Sequence, residues 1–292
     1  MSQYEQVALA IIGGSGVYQI PEITDITRHS VSTPFGKPSS DVLVGTWHNQ
    51  RVAFLARHGE GHVHTPSSIP QRANIYALKL FGVRYIIAVN ACGSLRDDYA
   101  PSHLVVPDQL FDYTLSRGER SFFEAGLVGH VSVAEPFDRA LSEQLLASAK
   151  AIGATVHLGG TFIIEDGARF STRAESVVFK AWGCSIIGMT TAPEAFLARE
   201  AEIAYATLAH ITDYDSWHEG EAPVTSEMVM ATFKHNLDNV QKTLSHAVAH
   251  FNARQEAPAH TALSGAIMTA KTHIAPDVVE KLRPIVARAL GV

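Results

Sequence analysis

Charge is scarce in this chain. Only 18% of its 292 residues are Asp, Glu, Lys or Arg, against about a quarter in an ordinary soluble domain. Less polar material is left to cover a surface, so a buried subunit interface is the first expectation. Basic residues are outnumbered, 23 Lys and Arg to 29 Asp and Glu, and the net charge of −6 offers no broad basic face for nucleic acid. Cysteine is nearly absent. Two residues, Cys92 and Cys184, cannot build a disulfide scaffold, and a reducing, cytoplasmic setting is expected. No stretch reaches about 18 uncharged apolar residues, so neither a transmembrane helix nor a membrane partner is expected. The opening MSQYEQVALAIIGG has no basic residue before its apolar run and does not read as a signal peptide. Repeats and low-complexity blocks are missing too. What is abundant is apolar, 46% of residues, which excludes wholesale disorder. Histidine is also plentiful, at 15.

Short β-branched runs with the length and composition of strands lie at 7–12, 41–46, 51–55, 85–89, 103–106, 161–164, 184–188 and 203–212. Helical periods fall at 72–81, 138–152, 172–182, 192–201 and 225–251. The third opens with Thr172 and Glu175 spaced as a capping box. Strands interleaved with helices predict an α/β domain around a mixed or parallel sheet. The composition shifts at 252–260 (NARQEAPAH), which reads as a linker. The predicted organisation is one domain over 1–251, then a linker and a C-terminal helical appendage over 252–292.

Several segments at the ends of apolar runs carry candidate chemistry. Gly13-Gly14-Ser15-Gly16 can turn sharply and aim backbone N–H groups at an anion, with the Ser15 hydroxyl beside them. No Gly-Lys-Ser/Thr follows, and Gln19 stands where the last glycine of G-x-G-x-x-G belongs. The loop is therefore either an anion cradle or a plain tight turn, and a dehydrogenase is disfavoured. In Ala56-Arg57-His58-Gly59, a guanidinium and an imidazole make a good oxyanion pair. The same R-H-G-E run matches the histidine-phosphatase signature. In that family it follows the first strand, whereas here a complete strand, Gly loop and strand precede it.

Asn90-Ala91-Cys92-Gly93-Ser94 places small residues at a strand mouth, where open α/β sheets bind ligands. With no catalytic histidine beside it, Cys92 reads as a packing residue. Gly188-Met189-Thr190-Thr191-Ala192-Pro193-Glu194 runs a strand into a helix, with Pro193 near its first turn. Thr190 can donate to an anion, and Met189 is either core or a cushion for an apolar ligand face. In Thr212-Asp213-Tyr214-Asp215, an extended backbone would aim both carboxylates to one side, suited to divided acid–base work. A Mg²⁺ site is the rival, but no third oxygen ligand is apparent. His62, His64 and His130 lie in polar loops. His246 and His250 are spaced i, i+4 but lack the acidic partner of H-E-x-x-H, so no zinc site is assigned.

Together and in this order the segments resemble the trimeric purine nucleoside phosphorylases, most closely their S-methyl-5′-thioadenosine phosphorylase branch. The resembling pieces are IIGGSG at 11–16, TPFGKPS at 33–39, ARHG at 56–59, ANIYALK at 73–79, ACGSLR at 91–96, AEPF at 134–137, RFSTRAES at 169–176, GMTTAPE at 188–194 and TDYD at 212–215. Departures fall at Ser226, at Ser67–Gln71 and at Asp166–Phe170.

The resemblance implies a single α/β domain whose mixed β-sheet is distorted towards a barrel and surrounded by helices. It implies phosphorolysis of methylthioadenosine to adenine and methylthioribose 1-phosphate. Adenosine or another 5′-modified purine nucleoside is the alternative substrate. No cofactor is implied, inorganic phosphate being a co-substrate, and the assembly implied is a homotrimer or a dimer of trimers. By similarity, Ser15, Arg57, His58, Asn90 and Thr190 would hold phosphate, and Met189 would lie under the ribose. Ala91, Cys92, Gly93 and Phe170 would pack on the base. Val229, Met230, His62 and a neighbouring subunit's counterpart of His130 would border the 5′ end. Asp213 would address N7, its proton retained with help from the charge of Asp215, and Asp215 would address the 6-amino group.

Overall fold

A computed structural model describes residues 4–14, 20–115, 120–219 and 225–292. Its strands are β1 (Leu9–Gly13), β2 (Thr24–His29), β3 (Val42–Trp47), β4 (Gln50–Ala56), β5 (Tyr85–Ser94), β6 (Leu104–Val106), β7 (Gln109–Asp112), β8 (Val156–Leu158), β9 (Thr161–Ile164), β10 (Cys184–Gly188) and β11 (Ala204–Asp213). The α-helices are α1 (Gln71–Leu80), α2 (Arg139–Ala151), α3 (Arg173–Ala181), α4 (Thr191–Glu200), α5 (Ser226–Ala249) and α6 (Pro276–Leu290).

All strands belong to one mixed sheet with the path β2-β3-β4-β1-β5-β10-β9-β7. It branches at β5, the shared spine. β5 pairs in parallel with β1 and β11, and its last residues, Gly93 and Ser94, pair antiparallel with β10. From β11 a side arm runs through β6 to β8. Among the described residues the sheet does not close into a barrel.

Alternation along the central strands explains the layering. Successive side chains point to opposite faces. Ala10, Ile12, Ala53, Leu55, Ile86 and Ala88 join one core with Ala195 and Leu197 of α4, Ile75 and Leu78 of α1, and Leu282, Ile285 and Val286 of α6. Leu9, Ile11, Val52, Phe54, Ile87 and Val89 join the other with Leu141 and Leu145 of α2 and Val240 and Leu244 of α5. Near-continuous apolar strands are what a sheet covered on both faces requires. The segment after residue 252 contributes to the first of these cores through Leu263, Ile274 and α6. It is tied there by a hydrogen bond of 2.9 Å from the Tyr76 hydroxyl to the carbonyl of Lys281.

Candidate active site

Three parallel neighbours bring their C-terminal ends together. In register, Gly13 of β1 lies beside Ala56 of β4, and Ile12 lies beside Ala88 of β5. The chain leaving β4 is pinned to β1 by a hydrogen bond from Arg57 N–H to the Gly13 carbonyl, 2.9 Å. Gly14, the Arg57-His58 turn and the Asn90 region therefore converge on one cavity of about 490 Å³. That size suits a small-molecule ligand. Gly14, Arg57, His58 and Asn90 line one part of it. Ala91, Cys92, Gly93, Glu165, Phe170, Met189, Thr190, His210, Asp213, Asp215, Val229 and Met230 are among the rest. Ser15, expected beside Arg57, lies outside the described residues.

Arg57 is held rigidly. Its Nε and Nη2 donate to the two carboxylate oxygens of Glu194, each at 2.8 Å, and Nη1 donates to the carbonyl of Val89 at 2.8 Å. The Tyr205 hydroxyl donates to the same carboxylate at 2.7 Å. Both partners are almost wholly buried, at 2% and 1% side-chain exposure. Burial alone would push the guanidinium pKa down, but Glu194 outweighs it and holds it above its ordinary value. A guanidinium has five N–H donors, so two remain for a ligand. Next to it, His58 Nδ1 faces the carbonyl of His64 at 2.9 Å, and the ring stacks on His62 at 4.2 Å between centroids. Burial lowers the His58 pKa to about 4, with Arg57 and His62 adding to the effect. Asn90 Nδ2 donates to Thr190 Oγ1 at 3.0 Å. That leaves the Thr190 hydroxyl hydrogen free to turn elsewhere.

The other end is built of carboxyls. Asp213 closes β11, and Asp215 begins a 3₁₀ turn, Asp215–Trp217, with φ of 51°. Extended alternation is therefore not what aims the pair at one cavity. A turn folds Asp215 back so that its N–H donates to Asp213 Oδ1 at 2.8 Å. Thr212 Oγ1 donates to the other oxygen at 2.7 Å. Burial raises the pKa of Asp213 against both hydrogen bonds, and the charge of Asp215 is the smaller contribution. Burial also raises Asp215, opposed by the hydroxyls of Ser176 and Ser171. Ser171 Oγ lies 2.8 and 2.7 Å from the two Asp215 oxygens.

Local structure fixes that serine. Thr172 and Glu175 form the predicted capping box at the start of α3, and Glu175 also pairs with Arg169 at 2.7 Å. The stretch 169–171 is thereby braced, with Phe170 lining the cavity. Gly93 leaves little room for a side chain. A Cβ there would sit 3.0 Å from Ile187, 3.1 Å from Asp213 Oδ1 and 3.2 Å from the Asp215 Cβ.

Cys92 is buried and its thiol pKa is pushed well up, which fits packing and not nucleophilic attack. Val229 and Met230 reach the cavity from the first turn of α5, which Thr225 caps by accepting from Met228 N–H at 3.3 Å. Ser226 is exposed and lines no part of the cavity. His130 is exposed, hydrogen-bonded through its backbone to Ala266, and is not among the lining residues of its own chain.

Four residues escaped the sequence reading. Glu194 and Tyr205 hold Arg57, and His210 and Glu165 line the cavity. Glu165 follows β9, is 7% exposed, and has a pKa raised to about 7 by burial and then by Asp215. Glu194 sat in plain view within GMTTAPE. A buried glutamate one turn into an otherwise small and apolar helix start was the available signal. Among the described residues, no group of three or more His, Cys, Asp or Glu side chains could hold a metal ion, and no helix is long and apolar enough to cross a membrane.

Comparison with known proteins places this arrangement. The model of the phosphorylase superfamily matches residues 8–249. The chain belongs to that family. Within it, the chain is 50% identical to the S-methyl-5′-thioadenosine phosphorylase of Chloroflexus aurantiacus over 280 residues, 96% of this chain and 97% of the relative. A crystal structure of methylthioadenosine phosphorylase from an antarctic soil metagenomic library superimposes with a TM-score of 0.92 at 41% identity, covering 96% and 99% of the two chains. The methylthioadenosine phosphorylase of Schistosoma mansoni in complex with adenine gives 0.80 at 37% identity, covering 84% and 91%. The phosphorylase fold thus extends over the whole α/β body that carries the cavity.

Proposed function

We propose that this phosphorylase cleaves S-methyl-5′-thioadenosine with inorganic phosphate, releasing adenine and methylthioribose 1-phosphate. One observation carries the reading. A single cavity joins a donor-rich end at Arg57 to a buried carboxyl end at Asp213 and Asp215, on a chain half identical to a methylthioadenosine phosphorylase.

In this reading Arg57, His58, Asn90 and Thr190, with Ser15, receive phosphate, and Met189 cushions the ribose. Phosphate oxygen attacks the anomeric carbon as the C–N bond breaks and its electron pair moves into the purine. Asp213, its pKa raised by burial, delivers a proton to N7 of the leaving base, the general-acid role that a desolvated carboxyl suits. Asp215 accepts from the 6-amino group. A 6-oxo group would meet that carboxylate with no hydrogen to share, and such a mismatch leaves buried groups unpaired. Ala91, Cys92, Gly93 and Phe170 flank the base. Val229, Met230 and His62 border the 5′ substituent, and the exposed Ser226 offers that group no hydroxyl. No cofactor takes part. The scarcity of charge and the exposure of Met230 and Phe170, 51% and 37%, support a homotrimer, or a dimer of trimers, in which a neighbour's His130 covers the 5′ end.

Phosphorolysis rates for methylthioadenosine, adenosine and inosine, measured side by side, test the reading. Methylthioadenosine should have the highest kcat/KM and inosine the lowest, and Asp215→Asn should narrow the adenosine-to-inosine ratio. Equal or better efficiency on inosine would overturn the base assignment.

A further inference from the structure

Three carboxyls meet at the base end of the cavity, and the proposed reaction gives work to two of them. Asp213 and Asp215 are assigned to N7 and to the 6-amino group. Glu165 is buried, at 7% exposure, and lines the same cavity. Its backbone fixes where it points. β9 and β10 run in parallel with Ile163 beside Ile187, and both isoleucines pack with Phe179 of α3. Side chains two residues apart share a face in an extended chain. Glu165 continues that ladder, its N–H donating to the Gly188 carbonyl at 3.0 Å. Its side chain therefore leaves the sheet on the α3 side, where Ser171 precedes that helix and donates to Asp215.

Its place in the row matters. The charge of Asp215 bears on both Asp213 and Glu165, which makes Asp215 the middle carboxyl. On a purine the 6-amino group is likewise in the middle, with N7 on one side and N1 on the other. A base held by Asp213 and Asp215 turns N1 towards Glu165. In a 6-aminopurine N1 is a bare acceptor and needs a hydrogen. Ser171 does not supply it, because a hydroxyl has one hydrogen and this one is directed at Asp215, 2.8 and 2.7 Å from its two oxygens. Those same bonds decide which carboxyl carries charge. Two neighbouring carboxyls resist ionising together, and the one that accepts hydrogen bonds ionises first. That one is Asp215, while the pKa of Glu165 is raised to about 7 by burial and by Asp215. Of the other charged groups around Glu165, Arg169 favours its ionisation, and Glu175 and Asp166 oppose it. Asp213 and His210 face the cavity from β11.

We infer that Glu165 is a specificity-determining residue whose carboxylic O–H donates to N1 of the adenine base, while Asp215 accepts from the 6-amino group. The inference rests on the proposed cleavage of an adenine nucleoside. The two carboxyls read adjacent atoms of opposite polarity. A 6-oxopurine carries hydrogen on N1 and none on its oxygen, so it mismatches both. The hydrogen bond holds the base, and no proton is transferred through it.

Adenine and 1-deazaadenine test this, since the second has C–H in place of N1 and keeps N7 and the amino group. Their dissociation constants are measured by titration calorimetry on the full chain at about pH 6 and about pH 8.5, on either side of the Glu165 pKa. The unaltered protein should prefer adenine by about 10–100-fold at the lower pH, as expected when a buried donor is left unpaired. The preference should shrink by about tenfold or more at the higher pH, where Glu165 has lost its hydrogen. Glu165→Gln keeps an N–H donor that does not titrate, so its preference should be the same at both pH values. Glu165→Leu should show none at either. No preference in the unaltered protein, a full preference in Glu165→Leu, or a preference in Glu165→Gln that falls with pH as its parent's does would overturn the inference. Phosphorolysis of methylthioadenosine by a chain that binds the two bases alike would sink the role of Glu165 and leave the reaction standing. A chain that neither cleaves the nucleoside nor binds adenine would sink both.

Discussion

At the Arg57 end of the cavity, charge is buried in a matched pair whose hydrogen bonds are already made. At the Asp213 end, three carboxyls, Asp213, Asp215 and Glu165, share one cavity with hydroxyls and backbone N–H groups but without a bidentate guanidinium. The first arrangement is stiff, its guanidinium fixed by three hydrogen bonds. The second is tuned, since every carboxyl in it has its pKa pushed up by burial. Anchoring an anion calls for fixed donors, while delivering a proton to a leaving group calls for an acid whose pKa lies near the working pH. The two ends differ as those two tasks differ.

The contrast can be broken from either side. Asp213→Asn removes the proposed acid while keeping shape, and kcat should fall by about 10²–10⁴-fold in a methylthioadenosine assay with the fold intact. A loss under tenfold would move the acid elsewhere. Glu194→Ala attacks the opposite end by leaving Arg57 buried and unpaired, which should lower stability by about 3–5 kcal/mol in urea unfolding. A loss below about 1 kcal/mol would mean that Arg57 escapes to solvent. Glu165→Gln sharpens the comparison most gently. The native pKa of about 7 stands above the ordinary 4.5, so the folded chain holds that proton more tightly than the unfolded one. Its contribution is full below about pH 4.5 and is lost as pH rises through 7. The Gln variant should therefore melt a few degrees higher than its parent at about pH 8 and nearly the same at about pH 5, read by calorimetric scans. Identical shifts at both pH values would show that Glu165 does not titrate in this range.

How much could be read beforehand follows from where information sits in a chain. β9 and β10 match the sequence expectation to the residue, and α2, α3 and α4 match within a residue or two, because burial on both faces writes continuous apolar runs and caps mark helix starts. β2 (TDITRH) was missed since its residues are almost all exposed and it is held by pairing with β3 alone. β7 and β8 are short outer strands, recruited by neighbours. In the site, residues in compact motifs were legible, and Arg57, His58, Thr190, Asp213 and Asp215 do meet in one cavity. Glu194 and Tyr205 were not, because their meaning comes from Arg57, 137 positions from Glu194 in the chain. A buried ion pair leaves no local pattern. Asp215 does line the cavity, but through a turn with positive φ and not through the alternation that motivated the expectation.

β5 has one more property worth drawing out. Asn90 touches Thr190 at one end of the cavity, and three residues later Gly93 lies against the carboxylates of the other. At about 3.3 Å per residue, that separation is roughly 10 Å. Hydrogen-bonded to β1, β10 and β11, this strand can neither stretch nor slip. On the proposed reading it works as a ruler, spacing anion from base by peptide units and not by adjustable side chains. A nucleoside with one atom more between sugar and base would be measured against it and found too long.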